Sequence, residues 1–149
     1  METGITNLME EIRQAFGLEE MDIRTYSPLV LAYIGDGIYE LVIRSFLVGN
    51  GNAQAAKLHK RASTLVNAKA QSAMLERIKS DLTEEELQVF RRGRNANSPT
   101  MAKHASVSEY RRATGLEALM GYLYLTGQTK RLLELVKLGL EEELCDTKN

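Results

Sequence analysis

The stretch Tyr26-Ser-Pro-Leu-Val-Leu-Ala-Tyr-Ile-Gly-Asp-Gly-Ile-Tyr-Glu40 combines a helix start, an apolar run and a misplaced acid. Ser27 offers a hydroxyl to cap free backbone N–H groups, and Pro28 follows where no N–H is needed. The residues beyond are apolar on nearly every side, which places this helix in the middle of the protein. Asp36 interrupts the run with a glycine on each side. A carboxylate in an apolar helix is costly unless a cation or several donors neutralise it. Each glycine costs roughly 1 kcal/mol against alanine. Two readings fit: an acid that serves a cation close to the backbone, or a half-exposed acid in a salt bridge with glycines that ease packing. Asp36 and Glu40 share a helix face at i, i+4 spacing, so spacing alone nominates them as paired ligands.

Outward from this helix the chain reads as helical throughout. Toward the N-terminus, Thr6 to Gly17 forms a short amphipathic helix with Leu8, Ile12 and Phe16 on one stripe. Residues 18–26 make an irregular link. The central helix continues through Leu41, Val42, Ile43 and Phe46 to a breaker cluster at Gly49-Asn50-Gly51. Ala53 to about Lys79 reads as one long segment of helix formers, its buried side carrying Leu65, Val66, Ala70 and Met74. Its opening holds Lys57, His59, Lys60 and Arg61, a basic cluster that is either a solvated face or a phosphate contact.

Thr83 and Glu86 match a capping box, and the helix they start ends in Arg91-Arg92-Gly93-Arg94-Asn95. From Arg91 to Lys103 there are four basic residues and no acid, with Gly93, Asn97, Ser98 and Pro99 opposing regular structure throughout. Such a loop suits phosphate and ribose contacts, although arginines at a helix C-terminus also complement the helix dipole. A further helix runs from Ser106 or Ser108 to Leu125 and breaks at Thr126-Gly127. The last spans Thr129 to about Leu144, with Leu132, Leu135, Val136 and Leu140 facing inward and Gly139 inside it. No segment has strand period. The fold class is all-α.

A chain of 149 residues suits one domain, 1–149. Its 44% hydrophobic and 26% charged residues are those of an ordinary globular protein. The net charge of -1 gives no global attraction to nucleic acid, so RNA binding would rest on local clusters. Cys145, the single cysteine, can form neither an internal disulfide nor a zinc site. Glu2, Glu10, Glu11 and Arg13 exclude a signal peptide or membrane span in the first twenty residues. The expected location is the cytoplasm, with no membrane partner.

Glu117 repeats the oddity of Asp36. It sits in an apolar helical run, with Gly115 before it and Gly121 one turn after. Alone it reads as a helix-surface glutamate. Together, two buried helices with a carboxylate among small residues can approach closely and present both acids to one hard cation such as magnesium.

Ile34-Gly35-Asp36, followed by Gly37-Ile38-Tyr39-Glu40-Leu41, resembles the Leu-Gly-Asp signature of the ribonuclease III catalytic domain. Glu117-Ala118-Leu119-Met120-Gly121 resembles its second motif, which ends in Leu-Glu-Ala-Leu-Ile-Gly-Ala. Two of that family's four acidic positions are missing: Ala32 stands four residues before Asp36, and Thr114 three before Glu117. With Ala-Thr-Gly before the glutamate and Arg-Arg-Gly-Arg-Asn at 91–95, the chain is similar to the Mini-ribonuclease III family. Its members are a bare ribonuclease III domain without the double-stranded-RNA-binding domain. The resemblance covers the chain beyond about the first twenty residues.

What the resemblance implies is a ribonuclease III endonuclease-domain fold, a helical bundle that works as a homodimer. The implied activity is a magnesium-dependent endoribonuclease that cleaves double-stranded RNA to 5′-phosphate and 3′-hydroxyl ends. The implied substrate is precursor 23S ribosomal RNA, with a large-subunit ribosomal protein as one expected aid to affinity. Asp36 and Glu117 become the catalytic residues and Mg2+ ligands; Glu40 occupies none of the family's acidic positions. The RNA contacts expected are Lys57, Lys60, Arg61, Arg91, Arg92, Arg94, Asn95 and Lys103. Two rivals stand beside this reading. Ala32 and Thr114 suit a non-catalytic RNA-binding module with a decayed site, and the near-zero net charge suits a helical protein–protein adaptor.

Overall fold

The computed structural model describes residues 8–96 and 106–141. Among them are seven α-helices and no strand: α1 Leu8–Phe16, α2 Pro28–Gly49, α3 Ala55–Val66, α4 Ala68–Ile78, α5 Glu84–Asn95, α6 Val107–Leu125 and α7 Thr129–Gly139. Short 3-10 turns at Ile23–Thr25 and Lys79–Asp81 precede α2 and α5. None of the described helices is long and apolar enough to cross a membrane.

Side-chain caps set the helix starts. The Ser27 hydroxyl accepts from the Val30 amide at 3.2 Å, and Pro28 opens α2. Thr83 with Glu86, and Ser106 with Glu109, each form a complete capping box. Ser106, not Ser108, therefore starts α6.

The centre of the bundle is α6 rather than α2. Ten of its nineteen residues are buried, and it packs against α2, α4, α5 and α7. Only six of the 22 residues of α2 are buried, so the expectation that α2 is enclosed on all sides is corrected. Leu31, Gly35, Tyr39, Ile43 and Leu47 recur every fourth residue and form its single inward face. On other sides Val30, Tyr33, Leu41 and Val48 are exposed, Tyr33 by 82%. In α1, Leu8 and Phe16 also lie outside, and Met9 makes the core contact instead.

The long helix expected over 53–79 is two helices. Asn67 caps both: its Nδ2 donates to the Ser63 carbonyl at 3.0 Å, and its Oδ1 accepts from the Ala70 amide at 2.8 Å. With ψ at 162°, Asn67 itself is extended, which turns the chain between α3 and α4. The irregular stretch expected over 91–103 is helical in its first five residues, and 97–103 lie outside the described residues. Arg91 to Asn95 are helical, and Gly93 is no breaker there. A Cβ at Gly93 would lie 2.7 Å from the Ala118 Cβ and 2.9 Å from the Gly115 Cα, so its bareness lets α5 lie against α6. In α7, Leu132, Leu135, Val136 and Leu140 are buried as expected, but the helix ends at Gly139, where a Cβ would overlap the Met74 side chain. The expected continuation beyond residue 141 lies outside the described residues.

One ion pair locks α7 onto the start of α5. Glu86 is 4% exposed; its carboxylate accepts from the Thr83 amide at 2.9 Å and from Arg131 Nε and Nη2, both at 2.8 Å. Arg131 also donates to the Asp81 carbonyl and to Glu134. The hydrogen bonds from Arg131 hold the Glu86 carboxyl below its ordinary range, ahead of the opposing effect of burial. Glu86→Ala should cost about 3 kcal/mol by leaving the Arg131 charge without its main partner. Because the folded-state value is lowered, the pair stabilises the fold above the ordinary glutamate range and its contribution fades on acidification. Thermal melts at pH 7 and in acid check this: the gap between wild type and variant should narrow in acid.

Candidate active site

The two motif helices meet backbone to backbone. A Cβ on Gly35 would overlap the Glu117 carbonyl oxygen and lie 2.8 Å from the Gly121 amide nitrogen. A Cβ on Gly121 would overlap the Leu31 carbonyl oxygen. Two glycines thus let α2 and α6 cross closer than ordinary side chains permit. Gly37, on the other side of Asp36, has nothing near it and takes no part in this crossing.

The crossing brings Asp36 and Glu117 together, as the sequence suggested. Their environments differ from that expectation. Asp36 is exposed, while Glu117 is half-buried and lies against it. Burial first, then the hydrogen bond to Asp36 and its charge, push the Glu117 carboxyl up to about 8. The Gln71 amide pulls the other way, donating from Nε2 to Glu117 Oε2 at 3.4 Å. Two facing carboxyl groups, with Glu117 pushed up by burial and by its neighbour, are an oxygen donor set that suits a hard cation.

Gln71 was not legible as a site residue. It lies on α4, 2% exposed, in a segment whose polar positions read as solvent-facing. Packing of α4 against α6 alone puts its amide beside Glu117.

The two replaced acids are filled by packing. Ala32, 7% exposed, joins Leu31, Val89 and Ala118 in a small apolar cluster. The Thr114 hydroxyl donates to the Tyr110 carbonyl one turn back, at 3.0 Å. Neither residue supplies a carboxylate, and no group of three metal-ligating side chains occurs among the described residues. Glu40, the spacing-based alternative to Glu117, instead pairs with Arg44 at 2.6 Å.

The basic residues fall in two places. Lys57, Lys60 and Arg61 are exposed on α3, which packs on α2 and α4. Arg91 and Arg92 are exposed on α5. Arg94 lies 5.6 Å above the Phe90 ring and donates from Nε to Asn95 Oδ1 at 3.2 Å. Lys103 lies outside the described residues.

Comparison with known proteins agrees with the residues. Residues 29–128 match the model of the ribonuclease III domain, a span that includes both motifs. The Mini-ribonuclease 3 of Clostridium tetani is 48% identical over 120 residues, covering 80% of each chain. That of Enterococcus faecalis is 49% identical over 117 residues, covering 77% of this chain and 89% of its own. A crystal structure of a Fusobacterium nucleatum protein superposes with a TM-score of 0.77 at 36% identity, covering 85% of this chain and 97% of that one. The chain therefore belongs to the ribonuclease III-domain family, in its Mini-ribonuclease III branch, and is an endoribonuclease.

Proposed function

We propose that this endoribonuclease cuts double-stranded RNA with magnesium, and that it matures the ends of precursor 23S ribosomal RNA in the cytoplasm. The observation that carries the reading is the meeting of Asp36 with Glu117 at the Gly35–Gly121 crossing. Those acids occupy the two motif positions, and the glycines serve no purpose but the approach of the helices that hold them.

Asp36 and Glu117 would hold the magnesium ion. Such an ion would supply polarisation of a phosphodiester oxygen and a more acidic bound water as nucleophile, consistent with 5′-phosphate and 3′-hydroxyl ends. Asp36, being exposed, is the carboxylate that faces the RNA. Glu117 is the rigid partner, its half-buried carboxyl steadied by the Gln71 amide. Duplex RNA is read mostly by shape and backbone, which suits exposed arginines on α5 and lysines on α3 better than a base pocket.

A homodimer agrees with the uncovered side of α2. Val30, Tyr33, Leu41 and Val48 are exposed there, and an apolar cleft of about 650 Å³ opens between α2 and α7, lined by Leu41, Phe46, Val136 and Leu140 among others. Outward apolar side chains beside an apolar cleft suit an association face. Two copies would place one carboxylate pair at each strand of a duplex.

Purified protein with magnesium, given naked precursor 23S RNA and the same RNA in a large-subunit particle, tests the substrate. Cutting of both strands of the terminal stem is expected, faster on the particle. Equal rates would remove the ribosomal-protein contribution. No cutting of either would remove the ribosomal substrate.

A further inference from the structure

We propose that the basic cavity between the end of α5 and the start of α6 is a phosphate subsite that takes a backbone phosphate of the RNA. This rests on the nuclease reading and adds Ser108, Arg111 and Arg112, which the sequence did not nominate as RNA contacts, to Arg94 and Asn95, which it did. The cavity, about 450 Å³, is lined by Arg94, Asn95, Val107, Ser108, Arg111 and Arg112. Three guanidinium groups line it and no acid does among the described residues, in a chain whose net charge is only -1.

Arrangement as well as charge favours an anion. Arg94 is held in place by the Phe90 ring and by Asn95, so its guanidinium is ordered before any ligand arrives. Arg111 is exposed and has no ion-pair partner among the described residues. Arg112 is only loosely engaged from α4, with Ser72 and Glu76 each at 3.5 Å. Glu109, the acid in the first turn of α6, is spent on the capping box with Ser106. That box takes the Glu109 amide, and no side chain among the described residues caps the amides of Val107 and Ser108. These N–H groups add the positive end of the helix dipole to the arginines.

An arginine cluster built for stability would interleave acids. Here only Arg112 has an acid beside it, Glu76 at 3.5 Å, while Arg94 and Arg111 face the cavity with no carboxylate partner among the described residues, an arrangement suited to phosphate through planar, multidentate hydrogen bonding. Arg111 precedes Glu117 by six residues, about 9 Å along the helix axis. The subsite would thus grip the strand near the cut and help fix its register.

The test uses the full chain carrying Glu117→Gln, so that RNA is bound without being cut. Equilibrium binding of a long RNA duplex is measured across a salt series, with and without Arg111→Gln or Arg111→Lys. Arg111→Gln should weaken binding and lower the slope of log affinity against log salt by about 1. Arg111→Lys should restore most of the slope while binding more weakly than the parent, since a lysine supplies charge without the fork. Unchanged binding and slope in Arg111→Gln would overturn the proposal. If inorganic phosphate then raises the melting temperature of the parent but not of that variant, the cavity takes a free anion and the RNA assignment is wrong. A parent that shows no salt-dependent RNA binding would overturn the nuclease reading itself, and this subsite with it.

Discussion

Gly35→Ala should abolish cooperative folding, whereas Gly37→Ala, two residues away, should not. The methyl at position 35 would occupy the space of the Glu117 carbonyl oxygen, and the obstruction is backbone. No rotamer change can clear it, so α2 and α6 must separate along the most extensive contact in the bundle. Overpacking a core commonly costs 1–3 kcal/mol where side chains can shift; here the cost should exceed about 3 kcal/mol. Gly121→Ala meets the Leu31 carbonyl in the same way and should behave alike. Gly37 has open space around it, so alanine there gains up to about 1 kcal/mol of helix propensity. Thermal melts followed by far- and near-ultraviolet dichroism distinguish the cases. A cooperative Gly35→Ala melt near the wild-type temperature would mean that the helices do not cross this closely.

Asp36→Asn and Glu117→Gln should each lower the rate of RNA cleavage by 100-fold or more, on the order of 3 kcal/mol of lost transition-state stabilisation. Groups that act as a unit lose their effect together, so the double variant should be little worse than either single one. Stability should move the other way. In the metal-free wild type, Glu117 stays protonated in the folded state up to about 8, while the unfolded chain releases that proton near 4.5. A folded-state value raised in this way means stability that is present in acid and lost as pH climbs between those values. Glu117→Gln holds the neutral form permanently and should flatten that dependence. Low activity in a protein as stable as wild type, or more so, at pH 8 separates a catalytic role from a structural one.

Where a residue's type and its task coincide, the sequence was enough. Ser27 and Thr83 cap helices because a hydroxyl before an apolar run has few better uses, whereas Ser106 and Ser108 were equal candidates until the capping box with Glu109 decided for Ser106. Asp36 and Glu117 were visible because acids flanked by glycine contradict the apolar pattern around them. Tasks set by packing were not visible. The apolar richness of α2 suggested a central helix, yet part of it faces outward, and the less uniformly apolar α6 holds the centre. Gly93 reads as a breaker, but its missing side chain serves the α5–α6 contact. Asn67 divides a run of helix formers through a side chain that bonds to both flanking helices. Gln71 looks like any polar helix residue until α4 is laid against α6. Arg111 and Arg112, inside the second motif segment, gain significance only when the end of α5 faces them across the cavity.

On the proposed function, Asp36 and Glu117 together support metal-dependent cutting of duplex RNA. Its most direct test is cleavage of a long RNA duplex by the wild type and by Glu117→Gln, each in chelator and in magnesium. The wild type should cut only with magnesium, and the variant should cut in neither condition on the same timescale. Cutting in chelator, or a variant as fast as wild type in magnesium, would mean that these two carboxylates do not hold a catalytic metal.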